Sequence, residues 1–87
     1  MTDLPRATRL KRIHMRATHR GMKEMDVILG RFSEGVVADL SDAELDLLER
    51  MMEENDQEIY TWVTGRNAPP AEFSALIDQI ARHVGAR

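Results

Sequence analysis

Apolar residues recur at helical spacing in every stretch of this chain long enough to form an element, and glycines and prolines cut those stretches short. The clearest run is Phe73, Leu76, Ile77, Ile80 and Val84, at i, i+3, i+4, i+7 and i+11, which lie on one stripe of an α-helix. β-Branched runs are short and no strict alternation persists, so a sheet has little to form from. With 87 residues the chain is expected to be a single domain over residues 1–87, burying roughly 60–65% of its unfolded surface. The expected fold class is all-α, a compact bundle of about five short helices.

The first helix is predicted from about Pro5 to Ala17. Pro5 suits a first helical position because its missing N–H is not needed there. Leu10, Ile13 and Ala17 form a narrow apolar stripe, and Arg9, Arg12 and Arg16 lie beside it. Gly21 interrupts. The second helix is predicted from Met22 to Phe32, with Met22, Met25, Ile28, Leu29 and Phe32 inward and Val27 left among polar residues. Residues 33–40 read as a loop around Gly35. Ser41-Asp42-Ala43-Glu44 is a capping box that starts the third helix, with Leu40 and Leu45 placed as a hydrophobic staple. Leu45, Leu47, Leu48, Met51 and Met52 form its inward face. A fourth helix starts at Asn55 or Asp56 and ends near Thr64, where Gly65 is a natural left-handed terminator. Pro69 and Pro70 open the fifth, and Gly85 ends it.

Charge is divided unevenly. Residues 1–31 carry eight Lys/Arg against three acids, and residues 32–87 four against twelve. Such a division fits an N-terminal surface that meets something anionic, or two halves that attract each other within one small fold. Aromatic residues make up 5%, thin for base stacking. The apolar runs are too short for a membrane-spanning helix or a signal-peptide core. There is no cysteine, and His14, His19 and His83 lack ligand spacing, so no metal site is expected. Nor is a catalytic residue expected: no nucleophile motif or glycine-rich phosphate loop is present. The acids Glu53, Glu54, Asp56 and Glu58 read as a solvated helix junction, favoured by the helix dipole. Trp62, beside Ile59 and Val63, reads as a core anchor, and Met22, Met25, Met51 and Met52 as core filling.

The unusual stretch is Arg20-Gly21-Met22-Lys23-Glu24. Gly21 lies between two helical patterns, where a Cβ would obstruct a tight turn or a closely approaching partner. With Gly21 as N-cap, Glu24 is the N3 residue, in the positive end of the helix field and near Arg20 on the surface. The alternative is a plain interhelical turn with a first-turn acid.

Residues 20–32, RGMKEMDVILGRF, resemble the R-G-x-x-E signature of the succinate dehydrogenase assembly factor family, the FAD assembly factors. Leu40-Ser41-Asp42-Ala43-Glu44 resembles the family's capped third helix. Asp56-Gln57-Glu58-Ile59-Tyr60-Thr61-Trp62 resembles its D-x-[DE]-[LI]-[FY]-x-W segment, and the proline-started last helix also fits. The resemblance covers about residues 10 to 83. His19 stands where many members have a second arginine, and Lys23 fills a variable slot.

The resemblance implies a chaperone-like protein, not an enzyme, that binds the flavoprotein subunit of succinate dehydrogenase, and in some members that of fumarate reductase. Such factors promote covalent attachment of FAD to a histidine of that subunit, whose ring nitrogen attacks the 8α-methyl carbon of a flavin quinone-methide tautomer. Holding that histidine in line is a positioning problem. FAD would belong to the partner, with none held stably here. Carried over by residue, Arg20, Gly21 and Glu24 would form the partner-binding surface, with Met22 and Lys23 in the same motif. As an extension, Arg12, Arg16 and Val27 are expected to border it. Residues 1–19 run directly into the signature without room for a removable leader, so a bacterial cytoplasmic protein is expected; the five-helix architecture suggests a monomer, and no membrane or nucleic-acid partner is expected. The competing reading is a small nucleic-acid-binding or regulatory helical module that uses the basic first helix.

Overall fold

A computed structural model describes residues 5–85, which hold five α-helices and two 3-10 turns and no strand. Residues 1–4 and 86–87, which include Asp3 and Arg87 of the charge division, lie outside the described residues. The helices are α1 (Arg6–Thr18), α2 (Lys23–Gly35), α3 (Asp42–Met51), α4 (Asp56–Val63) and α5 (Ser74–His83). The 3-10 turns, Val37–Asp39 and Ala71–Phe73, lead into α3 and α5. The body measures 37 × 25 × 21 Å.

Helices of this length are marginal alone in water, so packing must stabilise them. Each contributes a stripe to one core: Ile13 and Ala17 from α1, Met25, Leu29 and Phe32 from α2, Leu45, Leu48 and Met51 from α3, Ile59, Trp62 and Val63 from α4, and Leu76, Ile77, Ile80 and Ala81 from α5. Phe73, from the preceding turn, sets its ring 6.2 Å from that of Trp62. Leu47 and Val84, expected to face inward, are half-buried at the edge of the cluster.

Start and stop signals act as their chemistry predicts at three places. Ser41 accepts the Glu44 N–H while the Glu44 carboxylate accepts the Ser41 N–H, a complete capping box. Asn55 caps α4 by accepting the Gln57 N–H at 2.8 Å. After α4, Gly65 takes φ 83°, and the N–H groups of Gly65 and Arg66 donate to the carbonyls of Trp62 and Thr61, which is the Schellman arrangement. Gly85, also at positive φ, follows α5.

Three boundaries differ from the sequence reading. Pro5 is the residue before α1, not its first helical residue. Helix α2 runs on to Gly35, where a loop was expected. In its extra turn the Ser33 hydroxyl donates to the Gly30 carbonyl of the same helix at 2.9 Å and lies 2.6 Å from His14 Nδ1 of α1. Gly35 is where the His83 ring lies; a Cβ there would sit 2.7 Å from that ring. The third difference is α5, which begins at Ser74, after a 3-10 turn, instead of at Pro69–Pro70.

Helices α1 and α2 form an antiparallel hairpin, His14 meeting Ser33 and Thr18 meeting Gly30. A Cβ on Gly30 would lie 3.2 Å from Thr18 Cγ2, so the close crossing uses the absence of a side chain. Helix α2 also packs on α4 and α5, which leaves its outer edge to line a groove. Ile80 is 0% exposed, and Ile80→Ala is expected to cost about 2–5 kcal/mol in a urea titration. An unchanged midpoint would mean that α5 is peripheral.

Candidate functional site

The junction between α1 and α2 is built around one nearly buried ion pair. The Arg20 guanidinium donates from Nε to Asp56 Oδ1 at 2.8 Å and from Nη2 to the Met52 carbonyl at 2.7 Å, with Nη2 also 2.6 Å from Asp56 Oδ1. The two side chains are 11% and 14% exposed. The other carboxylate oxygen, Asp56 Oδ2, accepts the Gly21 N–H at 3.0 Å, and the Arg20 N–H donates to Asp26. One acid at the start of α4 therefore ties down the entry to α2, while its arginine partner satisfies a carbonyl at the end of α3.

This arrangement corrects three sequence expectations. The residue before α2 is Met22, not Gly21, so Glu24 is the second helical residue. Arg20 faces Asp56 rather than Glu24, and its cationic head is largely spent inside the fold. Asp56 is not a solvated junction acid; it is the partner of Arg20. Sequence reasoning weighed it only as one of a run of acids, and the feature that distinguishes it, a matching cation 36 residues earlier, becomes visible only in three dimensions.

Gly21 is exposed, and its backbone is not left-handed. A Cβ there would meet only Asp56 Oδ2, at 3.9 Å, an ordinary contact. Neither the turn nor the packing of this chain therefore demands glycine at this position. Met22 is half-buried against the core.

Beyond Gly21 the first turns of α2 open onto a groove of about 540 Å³. Val27, Ile28, Tyr60 and Val84 give it an apolar floor, and Lys23, Glu24, Arg31 and Thr64 edge it. Val27 is 48% exposed, as its place among polar residues implied. Among the described residues the side chains of Lys23, Glu24 and Arg31 have no ion-pair or hydrogen-bond partner. Tyr60 and Thr64 were not candidates from sequence; their signal is the i, i+4 spacing on the side of α4 away from Ile59 and Val63.

Arg12 and Arg16 do not border this face. The arginine stripe of α1 lies along the acids of α3, the two helices running in the same direction: Arg6 meets Asp42 at 2.9 Å, Arg9 meets Asp46 at 2.5 Å and Glu49 at 2.8 Å, and Arg12 and Arg16 share Glu49 at 3.5 and 3.3 Å. Arg6 also donates to the Leu40 carbonyl. Hydrogen bonding to Asp46, and to Glu49 beside it, holds the Arg9 guanidinium still more firmly protonated than usual against the opposing effect of its burial. The cleft between α1 and α3, about 690 Å³, shares no lining residue with the α2–α4 groove. Much of the uneven charge division is thus attraction within the fold, and the stripe that suggested nucleic-acid binding is engaged with α3.

The family described as flavinator of succinate dehydrogenase matches residues 11–84. A mitochondrial succinate dehydrogenase assembly factor 2 from Mycosarcoma maydis is 35% identical over 69 residues, covering 79% of this chain and 29% of that protein. The FAD assembly factor SdhE of Acetobacter pasteurianus is 36% identical, covering 76% of this chain and 61% of the relative. The SdhE of Shewanella oneidensis is 35% identical, covering 74% and 79%. The chain therefore spans less than two thirds of the first two of these relatives and most of the third.

The buried pair and the exposed acid are expected to behave differently on substitution. Asp56→Ala strands the Arg20 guanidinium and is expected to cost about 3 kcal/mol. Glu24→Ala removes only a first-turn interaction with the helix dipole, about 0.3–1 kcal/mol. Chemical denaturation of the two variants checks the ordering; equal losses would contradict the assignment of Arg20 and Asp56 as the structural pair.

Proposed function

This chain belongs to the flavinator of succinate dehydrogenase family, and from that premise we propose that it binds the flavoprotein subunit of succinate dehydrogenase and promotes covalent attachment of FAD to it. The contact surface in this reading is Gly21, Lys23, Glu24 and Val27 with the groove that they edge. Met22 and Arg20 support it from behind, and Arg12 and Arg16 take no part.

The observation that carries the surface assignment is Gly21. It is exposed and unstrained, and a Cβ there would meet only Asp56 Oδ2, at 3.9 Å, so the fold leaves room at this position for a partner backbone or ring to approach closely. The unpaired Glu24 carboxylate one turn away and the apolar groove beside it supply what such a partner would need, a charged contact at the rim and apolar area to bury.

In this role the protein contributes position rather than reacting groups. The histidine and the flavin both belong to the flavoprotein, and no FAD is held by this chain. A rigid surface that holds the flavoprotein with the histidine ring in line with the flavin methyl carbon converts a rare alignment into a standing one, which is where most of the advantage of proximity lies. The homologous flavoprotein of fumarate reductase is proposed as a second client. A monomer in the bacterial cytoplasm is the proposed setting, supported by the likeness to bacterial FAD assembly factors.

Gly21→Arg and Glu24→Ala should each remain folded yet fail to raise the fraction of flavoprotein carrying covalent FAD, scored by flavin fluorescence in a denaturing gel. Lys23→Ala, adjacent to Glu24 but not part of the R-G-x-x-E pattern, should do much less harm. Normal flavinylation with folded Glu24→Ala protein would exclude this surface as the site.

A further inference from the structure

Helix α2 begins without a side-chain cap: Met22 is extended, at φ −126° and ψ 123°, and only its backbone carbonyl engages the first turn. What then sets the direction in which the signature leaves the α1–α2 junction? Residues 20 and 21 donate four hydrogen bonds, besides the second Arg20–Asp56 contact. Arg20 N–H goes to Asp26, within α2 itself, and the guanidinium to Met52. The remaining two end on Asp56, one oxygen taking the guanidinium and the other the Gly21 N–H. Among the described residues Asp56 is thus the single group outside α2 that holds both Arg20 and Gly21, the two residues before the helix's N-cap, Met22. Its side chain is 14% exposed and has little surface of its own to offer a partner.

We propose that Asp56 is a positioning residue for partner recognition: it acts through Gly21 and Arg20 to hold the first turn of α2, and with it Glu24, in the orientation that the flavoprotein meets. This rests on the binding surface proposed above. Arg20 of the signature then serves mainly as the inner half of this latch. A surface ordered before encounter loses less freedom on binding than one that must be ordered during it, so the latch should be felt in affinity and in the local order of Gly21, beyond any effect on overall stability.

Asp56→Asn is the informative change. The amide keeps one acceptor oxygen, which the charged Arg20 claims more strongly, and turns its NH₂ toward the Gly21 N–H, where donor faces donor. The variant should fold. By NMR, exchange of the Gly21 amide hydrogen should be at least about tenfold faster, with shifts spreading to Met22 and Glu24. Affinity for the unflavinylated flavoprotein subunit, measured by calorimetry, should fall about tenfold or more. Arg20→Lys, which keeps the charge but loses the planar fork, should weaken binding in the same direction. It also keeps the test decisive if Asp56→Asn does not fold. Ser41→Ala, which removes the distant α3 cap, should lower stability and leave affinity within about twofold. Either folded latch variant binding within twofold of the parent protein overturns the proposal. So does an affinity loss in Ser41→Ala as large as that in Asp56→Asn, because the effect would then be one of general stability. Glu24→Ala separates the two readings: if it loses binding while Asp56→Asn binds normally, the surface stands and the latch falls; if it binds normally, the surface itself is wrongly assigned.

Discussion

A nearly buried ion pair where the α1–α2 junction meets α3 and α4 is the constraint around which this small protein is arranged. Desolvating a guanidinium and a carboxylate is costly, and an isolated pair often recovers little of that cost. Here the recovery is spread over several partners. Arg20 satisfies Asp56 and the Met52 carbonyl at the end of α3, and Asp56 satisfies Arg20 and the Gly21 amide. Because these groups come from the α1–α2 junction, the end of α3 and the start of α4, the pair fixes their mutual placement in a way that non-directional apolar packing cannot. The core supplies stability; the pair supplies register.

That division explains why one chain carries two unlike faces. On one, α1 and α3 are joined by ion pairs that are mostly exposed or half-exposed, each worth little alone in water, with Arg9–Glu49 the more buried exception. On the other, α2 and α4 leave an apolar floor with unpaired charges at its edge. The first face consumes its charge internally. The second keeps Lys23, Glu24 and Arg31 available, as a surface that recognises another protein requires.

Much of the fold was legible in the sequence because its signals are local. Apolar periodicity identified all five helices, the Ser41–Glu44 box fixed the start of α3, and Gly65 ended α4 as its chemistry dictates. The misread end of α2 is where distant contacts lie: Ser33 meets His14, and the His83 ring lies against Gly35. The site divided along the same line. Exposure of Val27 and Glu24 followed from helix phase, and the resemblance singled out the signature stretch. The inward turn of Arg20 did not follow from either, because a cation near a helix start looks the same in sequence whether its partner is water or an acid 36 residues away. The orientation of Arg12 and Arg16 depended on which face α3 would occupy, and the charge division alone allowed both outcomes.

Glu49 gives the α1–α3 face a property that the pairwise distances do not state. Its Oε1 takes Arg9, while Arg12 and Arg16 both reach for Oε2. On the cationic side the pairing is redundant, since either of two guanidiniums can occupy that oxygen. On the anionic side it is singular. Drift at position 12 or 16 is therefore buffered by the other arginine, whereas loss of the one carboxylate strips Arg12 and Arg16 of their counter-charge together and leaves Arg9 with Asp46 alone. The edge of the first helix would then carry two unpaired guanidiniums, Arg12 and Arg16, a surface more prone to adhere to nucleic acids and other polyanions. One carboxylate thus separates a charge-balanced face from an adhesive one.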